Sequence, residues 1–119
     1  MKLSNKEMTL RLQSLDPLMK IRGRVGYAAC RNYRRLADSL TEFETRRVAL
    51  IQEYGEADEN GNITVDPGSP NFEKVAQELS EYAEIEHEVE IMMLPIEEAA
   101  DVLTGRELMA TWWMFKEEE

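Results

Sequence analysis

One cysteine, one histidine and no long apolar run are the first things to notice in this chain of 119 residues. A lone Cys30 has no internal disulfide partner, which fits a reducing compartment. As a nucleophile it would have only His87 as a histidine partner, so the plainer reading is a small side chain on a helix. His87 lies between Glu86 and Glu88 but has no second histidine and no paired cysteine, a poor constellation for a transition metal. No catalytic signature stands out, so neither an enzyme nor a cofactor is expected. There is no stretch of 18 apolar residues to span a membrane and no charged-then-apolar leader at Met1, so the chain is expected to be soluble and intracellular. No internal repeat or low-complexity segment occurs. Acidic residues are also missing from one place: none lies between Pro17 and Ala37.

That local gap stands out because acid dominates elsewhere. The net charge is −10, yet Met1–Arg47 carries 11 basic and 5 acidic residues while Val48–Glu119 carries 3 and 19. Net negative charge disfavours general binding to DNA or RNA, which needs positive potential. The split has two readings: the acidic half folds over the basic half, or each is displayed separately. A hydrophobic fraction of 43% and a length of 119 residues suit one folded domain spanning residues 1–119.

The basic residues concentrate in Lys20–Tyr54, which reads as one long helix. At about 100° per residue, Val25, Ala29, Leu36, Leu40, Phe43, Leu50 and Tyr54 fall on one apolar stripe facing a core. Lys20, Arg24, Tyr27, Arg31, Arg34 and Arg35 fall on the opposite side. Gly23 and Gly26 each cost about 1 kcal/mol relative to alanine inside a helix, so the regular helix is predicted to begin near Tyr27. Arginine forks bind phosphate bidentately and stack on flat rings, and Tyr27 adds a ring of its own. Arg24, Tyr27, Arg31, Arg34 and Arg35 are therefore the candidate ligand-binding residues.

Around this helix the chain is punctuated clearly. Ser4 caps a first helix, Glu7 closes a capping box, and Leu3 staples to Met8; Asp16-Pro17 stops it. After Tyr54-Gly55 a polar excursion follows, with a tight turn at Asn60-Gly61 and strand character at Ile63–Val65 predicting a hairpin. Aligning Glu56, Asp58, Asn60 and Gly61 to a calcium loop puts Pro67 where a bidentate glutamate belongs, so a plain turn is expected. Ser69-Pro70 opens a second amphipathic helix to about Glu86. Residues 87–95 alternate Val89, Ile91 and Met93 against Glu88, Glu90 and Met92, the period of a half-buried strand ended by Pro95. Glu97–Val102 reads as a short helical turn. A capping box at Thr104 and Glu107 opens a last helix running through Trp112, Trp113 and Phe115, and Lys116–Glu119 reads as a frayed end.

The evenly scattered Glu84, Glu86, Glu88 and Glu90 read as a solvated face, since acid/base work needs two carboxylates in differently tuned surroundings. Trp112 and Trp113 would point about 100° apart on a helix, so both cannot face one core. With Met92 and Met93 they supply large apolar surface, and these four are the candidate interface of a homo-oligomer. The expected fold is α+β. A long antiparallel helix pair would carry a small antiparallel sheet from the Ile63 and Val89 segments, with short helices at both ends.

The run Leu50–Asn62, preceded by a basic helix with Tyr27, Ala28, Arg31, Asn32 and Arg34 and by the opening Met1–Lys6, resembles an uncharacterised family of small acidic proteins of phages and prophages of Gram-positive bacteria. The strand-then-helix ending is similar as well. The resemblance implies a phage origin and the cytoplasm of a bacterial host; it carries no activity or binding residues. Small phage accessory proteins are often inhibitors of host defence, which frames two non-enzymatic expectations. In one, the arginine face binds an anionic, nucleotide-like small molecule. In the other, the acidic half mimics nucleic acid and blocks a host nuclease or effector complex in the manner of an anti-CRISPR protein. A structural or assembly role in the phage is a further alternative.

Overall fold

The computed structural model describes residues 1–117. The chain opens with strand β1 (Lys2–Ser4), which pairs antiparallel with β4 (Glu86–Glu88) in the register Lys2↔Glu88, Leu3↔His87 and Ser4↔Glu86. Ser4 ends that strand and caps helix α1 (Asn5–Leu15). Its hydroxyl oxygen accepts from the Glu7 N–H at 3.1 Å, and the Glu7 carboxylate accepts from the Ser4 N–H at 3.2 Å. Hydrogen bonding from the Ser4 backbone N–H, and then from its side chain, holds the Glu7 carboxyl below the usual glutamate range. Leu3 and Met8 are buried in one cluster, as a staple requires. Asp16–Leu18 tightens into a 3₁₀ turn around Pro17, where the sequence predicts the stop.

Helix α2 (Arg24–Tyr54) is 31 residues long and starts three residues before the predicted Tyr27. Both glycines have a structural reason to stand there. Gly23 precedes the first turn at φ 90°, a conformation other residues rarely adopt. Gly26 is buried where a Cβ would overlap the Ile21 carbonyl. Close approach of the incoming chain thus outweighs the helix propensity that alanine would have supplied. Of the predicted stripe, Val25, Ala29, Leu36, Leu40 and Leu50 are buried, and Phe43 and Tyr54 half-buried. The core forms around the first half of α2, where α1 packs along it. Leu15, Leu18, Val89, Leu94, Met114 and Phe115 close over Val25, Ala28, Leu36 and Leu40.

The second half of α2 continues into an arm. Strands β2 (Glu56–Ala57) and β3 (Ile63–Thr64) pair antiparallel, Glu56↔Thr64 and Ala57↔Ile63, giving the expected hairpin. The Asp58 carboxylate accepts from the N–H groups of Asn60 and Asn62 at 2.8 and 3.0 Å, and Gly61 sits at φ 82°, so this loop is a turn held by its own side chain. Helix α3 (Phe72–Ala83) starts two residues after Pro70. The Ser69 hydroxyl oxygen accepts from the Asn71 N–H and its carbonyl from the Phe72 N–H, so Ser69–Asn71 forms a turn ahead of the helix. α3 ends before the predicted Glu86 because the chain extends into β4. It runs antiparallel to α2: Phe72 and Val75 lie near Arg47 and Ile51, and Tyr82 and Ile85 near Phe43 and Arg46.

The fold is α+β as expected, but the strands pair differently. The Ile63 and Val89 segments do not share a sheet. The antiparallel pairs are β2 with β3 and β1 with β4, while β5 (Leu94–Pro95) lies parallel to β6 (Phe115–Lys116). The predicted strand over 87–95 breaks after Glu88. Val89 is buried and Ile91 half-buried, but the Met92 backbone bonds to a side chain from α2 and not to a strand. Ile96–Ala99 is the short helical turn. The Thr104 capping box is present, yet α4 (Gly105–Ala110) ends before the tryptophans, which sit in a 3₁₀ turn, Trp112–Met114, that delivers Phe115 to the core. Lys116 belongs to β6, and the predicted fraying at Glu118–Glu119 falls outside the described residues.

Candidate functional site

Steps of three and four residues put Arg24, Tyr27, Arg31, Arg34 and Arg35 on the solvent face of α2, opposite the side held by the core. The structure brings four of them together. Tyr27, Arg31, Arg34 and Arg35, with Cys30 between, line a shallow cleft of about 350 Å³. Tyr27 is 60% exposed, and Arg31 and Arg34 are also open to solvent.

Arg24 is not part of the cleft; its guanidinium meets the Glu98 carboxylate at 3.0 Å. At the other end Arg35 donates to the Glu90 carbonyl at 3.0 Å, with the Glu90 carboxylate at 3.8 Å. The acidic half therefore touches the arginine face at its two ends and leaves the middle uncovered. Among the described residues, Arg31 and Arg34 make no ion pair or hydrogen bond to a side chain. That includes Asp38, one turn beyond Arg34, which stands in the less favourable order for a helical pair with the cation first. Lys20 is exposed in the turn before α2. Cys30 is exposed with its Sγ 3.6 Å from the Met19 carbonyl, consistent with a small surface side chain.

Sequence reasoning passed over the residue that holds this arrangement in place. Asn32 is fully buried beside Arg31, and its side-chain amide clamps one backbone unit: Nδ2 donates to the Met92 carbonyl at 3.0 Å and Oδ1 accepts from the Met92 N–H at 2.7 Å. An amide used this way replaces a strand partner and fixes how the segment from Val89 to Met93 crosses α2. It thereby sets where Glu90 meets Arg35. The signal was available, since Asn32 lies one turn from both Ala28 and Leu36 on the apolar side, where a polar residue needs a partner.

The proposed interface residues differ in exposure. Trp112 is 47% exposed beside Met109 at 79%, whereas Trp113, Met92 and Met93 are half-buried. Trp113 lies under the Arg11 guanidinium, 5.1 Å from the ring centroid. Glu84, Glu86, Glu88 and Glu90 are all exposed. His87 is half-buried and lines a separate cleft with Asn5, Phe43 and Tyr82. Among the described residues no group of three His, Cys, Asp or Glu side chains could hold a metal ion, and no helix is long and apolar enough to cross a membrane. Comparison with family models, with curated proteins and with solved structures gives no match.

Proposed function

We propose that the protein binds a small phosphate-bearing ligand of nucleotide type on the outer face of α2, and that it does so without catalysis. The observation that carries this reading is the uncovered middle of the arginine face: Arg31 and Arg34 stand free beside an exposed Tyr27 ring in a protein of net charge −10. Such a chain could neutralise these side chains locally, as it does at Arg46 and Arg47, which pair with Glu42 and Glu44 on the same helix. Arg31 and Arg34 supply forks for phosphate oxygens, and Tyr27 a surface for a base. Arg35, tied to Glu90, borders the cleft as a fixed wall. The resemblance to phage and prophage proteins supports a counter-defence role in which the ligand is a nucleotide signal of the host.

A second reading, a protein-blocking mimic of nucleic acid, is favoured by the row Glu84, Glu86, Glu88 and Glu90, every member of which is exposed. The two readings separate by removing charge from one face at a time. Calorimetry of the wild type against linear and cyclic nucleotides and inorganic phosphate should show nucleotide binding that Arg31→Ala with Arg34→Ala abolishes and that Glu86→Gln with Glu88→Gln leaves intact. A wild type that binds none of these ligands removes the first reading.

A further inference from the structure

The far end of the molecule carries a different surface. Between Thr41 and Ala83 only Leu50 and Val75 are buried, and this arm leaves a groove of about 510 Å³ between α2, the hairpin and α3. Its floor is apolar, made by Ile51, Ile63, Val65, Phe72, Val75 and Leu79, with the exposed Ala76 at the surface of α3. Arg47 is the charged residue of the lining, and the arm as a whole is mostly acidic. From Arg47 to Ala83 the chain carries eight acidic residues and two basic ones. Both cations are already engaged: Arg47 is held by the Glu44 carboxylate at 2.9 and 3.2 Å, and the Lys74 ammonium lies over the Tyr54 ring, 5.0 Å from its centroid.

We infer that this groove receives an amphipathic helix with basic flanks, supplied by a partner protein. An apolar trough between two helices and a hairpin suits a helix presenting apolar residues at i, i+3, i+4 and i+7. The excess of acidic residues on this arm, eight against two, favours lysine and arginine on the flanks of that helix over acidic ones. A second copy of this chain is the poorer occupant, because a two-fold contact brings the same patch from both subunits together and so sets one acidic arm against the other. The groove and the arginine face lie on opposite halves of α2, so this inference stands apart from nucleotide binding.

The test uses three synthetic peptides of about 18 residues: one with leucine at the helical spacing and lysine elsewhere, one with the same leucines and glutamate elsewhere, and one with the lysine peptide's composition scrambled. Binding is followed in the full chain by NMR of its methyl groups. The lysine peptide is expected to shift the methyl signals of Ile51, Ile63, Val75 and Leu79 and to weaken as salt rises. Ala76→Arg, at an exposed helical position, should weaken it by about tenfold or more with the helical signal unchanged. Equal binding by the scrambled or the glutamate peptide, shifts centred elsewhere, or no binding would each overturn the inference. So would sedimentation showing a dimer that Ala76→Arg dissociates, which would make the occupant a second copy.

Discussion

The two halves of one helix live under different rules. From Arg24 to Leu40, α2 buries seven residues against α1 and the C-terminal segments and turns its arginines outward; from Thr41 to Tyr54 it buries Leu50 alone. The charges follow the same division. Arg46 and Arg47 are neutralised three and four residues away on their own helix, while Arg31 and Arg34 have no such pairing. The packed half can keep cations unpaired because its stability comes from apolar burial, and exposed ion pairs contribute only about 0–1 kcal/mol. A rigid helix with free guanidinium groups is what a binding face needs, since the side chains are presented without the backbone having to order. The arm has the opposite character, with acidic sides and an incompletely covered apolar floor.

The strongest way to break this comparison is to truncate a buried side chain in each half. Leu36→Ala, at a position with no exposure, should cost about 2–5 kcal/mol in chemical denaturation. Asn32→Ala should come next at about 3 kcal/mol, because it strands the N–H and the carbonyl of Met92 in the interior. Val75→Ala in the arm removes two buried methyl-sized groups and should cost about 1.5 kcal/mol at ~0.8 kcal/mol for each. Losses for Leu36→Ala and Val75→Ala that are equal per carbon removed would mean that the arm is as well packed as the rest. Hydrogen exchange sharpens the same point: amides of α3 and the hairpin should exchange faster than those of α2 before Leu40.

Much of the fold was legible in the sequence, and the reasons are local. The capping boxes at Ser4 and Thr104, the stop at Asp16-Pro17, the turn at Asn60-Gly61 and the apolar stripe of α2 each depend on residues a few positions apart. The errors arose where distant chain segments decide. Gly26 looked like a helix weakness because the Ile21 carbonyl that presses on it is invisible in propensity. Residues 87–95 had a strand's alternation, yet whether it became a strand depended on Asn32, sixty residues away, capturing Met92. The pairing of Leu3 with His87 is likewise a matter of which edges meet. For the site, the arginine face could be read from spacing, whereas its coverage by acid at the two ends could not.

Smaller effects test the charge division. Arg35→Ala should lower stability by about 1 kcal/mol through the lost bond to the Glu90 carbonyl, while Arg31→Ala and Arg34→Ala should each stay within about 0.5 kcal/mol of wild type in thermal unfolding. A larger loss at Arg31 or Arg34 would reveal carboxylates folded over them. The least effect is expected at the α1 cap. The folded Glu7 carboxyl is held below its ordinary value by bonds from Ser4, so its contribution is present in full above the unfolded value and is lost as pH falls through the folded one. Glu7→Gln should flatten that part of the acid limb by slightly lowering stability at neutral pH while leaving it almost unchanged at low pH.

The most direct measurement is an NMR titration that follows the arginine Nε–Hε signals as a cyclic nucleotide is added. The account predicts that Arg31 and Arg34 shift most, Arg35 less, and that Arg46 and Arg47, held by Glu42 and Glu44, stay in place. Equal movement of all five, or movement confined to the arm, would contradict it.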